Sequence, residues 1–331
     1  MRKSLTTVIG SVLVAALFAA GAASLPDEPY QRFQFVPNLN GRLAWIYERI
    51  HFDPKPIDVA IVGPSKTFVG VSSDLIEQRL SLLGKRANVV NLSLVFQGRN
   101  AQWAILDELY KAKSPRILIV QFDRETVHRG HPWFMSFAPS VDIAFNAPMY
   151  LHNYFIDLWF LPSRQSKLFA ASLFPHAFGF HDSFDPAQYM KARTDFTTDF
   201  SVDGGRWVDM KHVKTAAQLI ADHEELKKLM HIYALPPSVA AFVDADNRIY
   251  LDRIERLAGA HGTAILTLYL PDFDDGALDE KTRNYYAAYG KILDFSDLAG
   301  RNELFSDFSH LNHAGAKLVS ERIADAIASQ L

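Results

Sequence analysis

The sequence predicts an α/β fold built on a parallel sheet with helices on both faces. Three observations carry this. The short apolar runs "PIDVAIVG", "ANVVNLSL" and "PRILIVQF" are rich in β-branched residues and alternate with segments of helical periodicity. Runs of this kind, bounded by proline or glycine, are strands buried on both faces. The alternation returns near the C-terminus, where "TAILTLYLP" and "ILDFSDL" lie between amphipathic segments. The length of 331 residues, with 49% hydrophobic and 21% charged side chains, suits one large globular domain or two small ones.

Taken in order, Arg2 and Lys3 precede an uncharged run from Leu5 to Leu25. A basic flank followed by such a run is an export signal. Two physical readings of residues 1–25 stay open. A cleaved signal peptide would use the small residues Ala20-Gly21-Ala22. An uncleaved anchor needs about 20 apolar residues to span the bilayer, with the basic flank left in the cytoplasm. A buried N-terminal helix is the plain structural alternative. Both export readings place the folded part across the membrane, in the periplasm or another extracytoplasmic space.

Residues 26–55 read as an extended proline-containing linker followed by a short helix over 42–51. Residues 56–331 form the α/β domain. After the first strand, "SSDLIEQRLSLLG" has Ser72 or Ser73 as its cap, Leu75, Ile76, Leu80 and Leu83 at helical spacing, and Gly84 as its stop. "RNAQWAILDELYKAK" is the next helix. From about residue 131 to 212 the rhythm breaks into an insertion crowded with aromatics and punctuated by proline. Asp142 and Asp157 interrupt its apolar runs, so it predicts short helices beside the sheet rather than a membrane span. Most of its aromatics are expected in ordinary core packing. A hairpin is expected around Gly204-Gly205. Two helices, the second starting at Pro237, precede the fourth strand, and "NHAGAKLVSERIADAIASQL" is a long C-terminal helix.

The net charge of −3 gives no general attraction for nucleic acid. The absence of cysteine removes disulfides, thiolate metal sites and cysteine nucleophiles.

The stretch "IVGPSKT" superficially resembles a phosphate-binding loop. It lacks the glycine required before the lysine, and Pro64 removes a backbone donor, so it does not suit a wrapped phosphate. What remains is Ser65, just past the carboxyl end of the first strand, on the edge where open parallel sheets bind ligands. By itself such a serine is as easily a helix cap or a turn residue. "ELFSDFSHLNHAGAKLV" places Asp307 three residues before His310 in the turn entering the last helix. A serine hydroxyl needs a histidine to take its proton, and the histidine needs a carboxylate to fix its tautomer.

With these residues in view, "DVAIVGPSKT", "VVNLSLVFQGRNAQ", "ILIVQFD" and "FSDFSHLNHAGA" make the chain resemble the SGNH (GDSL-like) hydrolase superfamily. The resemblance covers the α/β parts, about half the chain, and its D-x-x-H block is the most specific piece. It implies a three-layer α/β/α sandwich, with Ser65 as nucleophile, His310 as general base and Asp307 as its orienter. More narrowly, the chain looks like the exported, membrane-anchored bacterial branch that includes polysaccharide O-acetylation and D-alanyl transfer proteins. That likeness implies ester chemistry on a cell-surface polymer beside a multi-spanning membrane acyltransferase, with no cofactor. Two departures stand out. The family's second block supplies a glycine N–H to the oxyanion hole; here Gly98 is the glycine nearest that position and Ser93 lies closer to the strand end, so the N–H of either could join that of Ser65. The family's asparagine is here Asp123, which cannot donate a hydrogen bond when ionised.

Other readings of the same side chains are metal binding and polymer binding. Two H-x-x-H pairs, His128/His131 and His310/His313, with Asp307, are the support for a metal, and H-E-x-x-H is absent. Arg124 and Arg129 could hold an anionic polymer or simply be solvated. A non-catalytic polysaccharide-binding or export-accessory protein on the same fold is the remaining class.

Overall fold

The computed structural model describes residues 2–35, 41–124, 130–146, 153–181, 183–187, 189, 200–202, 205–208, 212–231 and 237–331. Helix α1 (Arg2–Ala23) is followed by α2 (Pro29–Gln34) and α3 (Arg42–His51). Strand β1 (Val59–Val62) leads into α4 (Ser65–Gly70) and α5 (Ser73–Leu82). Then come β2 (Val89–Asn91), α6 (Arg99–Ala112) and β3 (Ile117–Phe122). The insertion holds α7 (Phe134–Phe137), a single π-turn over Asp142–Asn146, α8 (Tyr154–Leu173), and the antiparallel pair β4 (Phe200–Val202) and β5 (Gly205–Val208). Helices α9 (Ala216–His231) and α10 (Pro237–Ala260) precede β6 (Ala264–Tyr269), α11 (Glu280–Ala287), β7 (Lys291–Asp294) and α12 (His313–Ile327).

The main sheet is five-stranded and all parallel, in the order β2-β1-β3-β6-β7. Its two faces feed two separate cores. Ala60, Val62, Leu118 and Val120 pack with Ile46, Ile50, Ile105 and Leu109 of α3 and α6. Val59, Ile61, Ile117 and Ile119 pack with Ile76, Leu80, Val319 and Ile323 of α5 and α12. Alternation of side chains along each strand thus covers both faces, as the β-branched runs predict.

Several local expectations are met. Ser72 caps α5 by accepting from the Leu75 N–H at 3.3 Å, and Gly84 closes it at φ 73°. Helix α3 occupies 42–51, α10 starts at Pro237, and β4 and β5 form the expected antiparallel pair.

Two expectations fail. The stretch after residue 25 is not simply extended: Pro29 opens α2, and Tyr30, Gln31, Arg32 and Phe33 are buried. The cause is a polar network that the proline content hides. Asp27 pairs with Arg32 and accepts from Gln165 Nε2 at 2.9 Å, while Arg32 Nε donates to the Phe137 carbonyl at 3.2 Å. Nor does the insertion consist of short helices alone, because α8 runs for 20 residues with Pro162 inside it. Arg164 and Gln165 anchor it, donating to the carbonyls of Met135 (3.0 Å), Ala138 (2.8 Å) and Leu25 (2.8 Å). Tertiary bonds therefore hold the helix across a residue that locally breaks one rung. Among the described residues no helix is long and apolar enough to cross a membrane.

Candidate active site

The carboxyl edge of the sheet gathers the residues of interest. The chain order sends β2 to one side of β1 and β3 to the other, so the loop after β1 lies at the topological switch point, where open α/β sheets bind ligands. Ser65 is the first residue of α4 and follows β1 by three positions. Gly63 makes the turn tight. A Cβ there would come within 2.7 Å of Thr67 Cβ and 2.9 Å of Gln121 Cβ, so no larger residue fits without moving the serine loop.

Asp307 and His310 enter the same place from the turn before α12. Asn312 caps that helix, accepting from the N–H groups of Ala314 (3.0 Å) and Gly315 (3.1 Å), and its amide donates to the Glu303 carbonyl at 2.8 Å. The preceding turn is thereby fixed. Asp307 Oδ1 accepts from the N–H groups of Ser309 and His310, both at 2.8 Å.

Three side chains then line up. His310 Nε2 lies 2.8 Å from Ser65 Oγ, and His310 Nδ1 lies 2.9 Å from each oxygen of Asp307. A carboxylate only accepts, so Nδ1 carries the proton and Nε2 presents its lone pair to the serine hydroxyl. Burial pushes the Asp307 carboxyl upward, but the His310 charge and the hydrogen bonds from the His310 ring and from the Ser309 and His310 N–H groups outweigh it. The group ends below the ordinary aspartate range. It is therefore ionised whenever the histidine needs it. The sequence-predicted Ser65, Asp307 and His310 are brought together in hydrogen-bonded sequence, an arrangement able to take up and return a hydroxyl proton.

The oxyanion candidates separate. The Ser93 N–H donates to Asn91 Oδ1 at 3.0 Å and the residue is buried, so this donor is engaged within the loop. Gly98 caps α6 at φ 152°, and a Cβ there would lie 2.5 Å from His131 Cα. The close approach of the insertion thus demands glycine at this position. Phe96, between the two, adopts φ 65°, a strained conformation for an aromatic residue.

Asp123 is an acceptor hub. It receives Gln97 Nε2 at 3.0 Å, Gln121 Nε2 at 3.1 Å and Lys66 Nζ at 3.2 Å. Lys66 also reaches Asp272 Oδ1 at 2.7 Å, and that oxygen accepts from Ser309 Oγ at 2.6 Å. The residue after the nucleophile is thus tied to the turn that carries Asp307 and His310. Burial alone would lower the Lys66 ammonium, but Asp123, Asp272 and Asp275 outweigh it and raise it above the ordinary lysine range. Burial raises Asp272 despite Lys66, with Asp123 adding to the rise. The two directions agree physically, since several carboxylates share one ammonium. Arg124 lies 3.8 Å from Asp275 and donates to the carbonyls of Ala277 and, at 3.2 Å, Gly276.

Sequence reasoning missed Lys66, Gln97, Asp272 and Ser309. Asp272 had a readable signal, a carboxylate just past the end of a predicted strand in "LYLPDFDD". Lys66 had only its place beside Ser65.

The other histidines have different settings. His131 is buried, with Nε2 2.8 Å from the Val95 carbonyl and Nδ1 accepting from the Trp133 N–H at 3.2 Å. Burial lowers its pKa to about 4, against the opposing carbonyl, and both ring nitrogens are occupied. His313 opens α12. His128 and Arg129 lie outside the described residues. Among the described residues no group of three or more histidine and acidic side chains is arranged to hold a metal ion.

No protein-family model matches the chain, and no curated protein matches it.

Proposed function

We propose that this chain is an SGNH-type serine esterase or O-acyltransferase on a three-layer α/β/α sandwich, exported across the membrane and acting on a cell-surface polysaccharide. The observation that carries the reading is the Ser65–His310–Asp307 line at 2.8 and 2.9 Å. The polysaccharide, and a multi-spanning membrane acyltransferase as donor of the acyl group, rest on the family resemblance. Export rests on the basic flank and uncharged run of residues 1–25.

Ser65 Oγ attacks the ester carbonyl as its proton passes to His310 Nε2, and Asp307 stabilises the resulting imidazolium. The carbonyl oxygen becomes an oxyanion that meets the Ser65 and Gly98 N–H groups. Collapse breaks the bond to the alkoxide, which takes the proton back from Nε2 and leaves an acyl-serine. Water or a sugar hydroxyl then enters by the same steps in reverse, giving hydrolysis or transfer. No metal or organic cofactor is required by this route. Asp123 accepts from three donors and as a carboxylate has no proton to give, so it contributes no third oxyanion donor, and one such donor is typically worth about 10²–10³ in rate. Modest turnover of simple esters is therefore expected.

The test incubates the full chain and its Ser65→Ala variant with an aryl acetate and with a fluorophosphonate, reading released phenol and intact mass. An adduct on the parent and none on the variant supports the reading. A folded parent that stays unmodified would move the assignment to a non-catalytic polysaccharide-binding or export-accessory protein.

A further inference from the structure

The first two turns of helix α8 expose apolar side chains to the outside. Asp157, Arg164 and Gln165 of this helix are buried, at 6%, 5% and 1% exposure, while Ser163, Ser166 and Lys167 face outward only beyond the apolar stretch. Its outward face over the first two turns is Phe155, Ile156, Leu158, Trp159 and Phe160, with Phe155 70% and Trp159 82% exposed. Phe145, in the π-turn just before it, is 82% exposed on the same insertion. No charged or polar side chain interrupts the outward face until Ser163. A soluble domain does not ordinarily leave such a contiguous aromatic patch in water.

The neighbour of this face says what covers it. Helix α8 packs along α1, whose Val12, Leu17 and Phe18 are also exposed. The two helices leave an apolar groove of about 840 Å³, lined by residues including Val14, Phe18, Ala19 and Pro162 and apart from the Ser65 loop. Asp27, Arg32, Arg164 and Gln165 tie the segment after α1 to the insertion that carries α8. Residues 1–25, which include α1, read from their basic start and uncharged run as a signal peptide or an anchor. Tryptophan and phenylalanine beside an apolar helix are the side chains that favour the boundary between headgroups and acyl chains.

We propose that the aromatic face of α8, together with Phe145, inserts into the lipid layer that holds α1, so that the domain is docked against the bilayer at two elements rather than hung from one. The proposal rests on the uncleaved-anchor reading of residues 1–25 and not on ester chemistry. Docking of this kind fixes the domain's orientation at the surface from which a membrane-borne acyl donor would be reached.

The chain has no cysteine, so a single introduced thiol labels uniquely. The full chain carrying Phe155→Cys, Trp159→Cys, Val12→Cys or, as a control on the exposed side of α5, Leu82→Cys is labelled with an environment-sensitive fluorophore. Each is reconstituted in phosphatidylethanolamine–phosphatidylglycerol vesicles with and without a doxyl lipid, and iodide is the aqueous quencher. The expected result is blue-shifted emission, loss of fluorescence to the doxyl lipid and protection from iodide at 155, 159 and 12, with the reverse at 82. Lipid quenching at 12 with iodide quenching at 155 and 159 overturns the docked face and leaves the anchor standing. Iodide quenching at all four positions, with the chain outside the vesicle fraction, overturns both. Protection at 155 and 159 without lipid, by a co-purifying protein, assigns the face to a protein partner and likewise overturns the proposal. Turnover at Ser65 enters none of these readouts.

Discussion

Asp307→Asn is the substitution that most directly tests the roles assigned in the Ser65 site. Asp307 Oδ1 holds two backbone N–H groups at 2.8 Å, and Oδ2 lies 2.9 Å from His310 Nδ1. Asparagine can keep Oδ1 in place for the backbone donors, which puts its amide nitrogen where Oδ2 was. The new amide N–H then faces Nδ1, and the one acceptor left to Nδ1–H is Oδ1 at 2.9 Å, already holding two backbone N–H groups, so His310 is driven to move its proton from Nδ1 to Nε2. That tautomer offers Ser65 an N–H instead of a lone pair, and the base is lost while the turn survives. Loss of the correct tautomer in a Ser-His-Asp site costs on the order of 10⁴ in kcat, about 5 kcal/mol of barrier. The assay is the rate of fluorophosphonate labelling and of aryl acetate turnover, with thermal unfolding measured alongside. A modestly lower melting temperature at neutral pH, from loss of the carboxylate's contribution, and a rate loss near that size are expected. A loss below about tenfold with the fold intact would refute Asp307 as the tautomer-setting residue. The same variant has a pH signature. The Asp307 carboxyl is held below its ordinary value, so its contribution to stability is present above an unfolded pKa of about 3.9 and is lost as pH falls through the lower folded value. The parent should therefore lose stability in acid more steeply than Asp307→Asn.

Lys66→Met leaves Asp123 and Asp272 without the ammonium they share. Removing one partner of a buried pair costs about 3–5 kcal/mol, and the lower end applies because Asp123 and Asp272 are 18% and 26% exposed. Urea unfolding should show this loss, and the double variant Lys66→Met/Asp272→Asn should recover part of it. An unchanged midpoint would dismiss the network as a structural tie. Gly63→Ala drives a methyl into Thr67 and Gln121 and should displace Ser65. We expect fluorophosphonate labelling to fall at least as much as stability does; normal labelling would show that the loop has room this geometry denies.

The β-branched runs, the glycine stops and the proline start of α10 are local signals, and each element they mark lies where physical chemistry puts it. The D-x-x-H spacing is local too, since three residues of turn suffice to bring one carboxylate to one imidazole. Helix α11 was not legible: Tyr286 is its only fully buried side chain, so its sequence has no strong apolar stripe. Helix α2 was hidden behind Pro26 and Pro29, because the buried partners of its Gln31 and Arg32 include Ala171, Phe137 and Glu108, far along the chain.

By itself, then, the sequence determined a parallel α/β chain with a serine at the end of the first strand and a carboxylate–histidine turn before the last helix. Tertiary structure alone decided that 245 positions of separation close to a 2.8 Å hydrogen bond between Ser65 and His310. It also decided that Lys66 reaches the carboxylates after β3 and β6, and that Ser93 has spent its N–H on Asn91. It decided that α8 buries Asp157 and Arg164 and turns Phe155 and Trp159 outward. The physical reason is common to all of these. Periodicity reports which residues share a face, but which face meets which neighbour depends on the strand order, and that order is set by contacts between segments far apart in the chain.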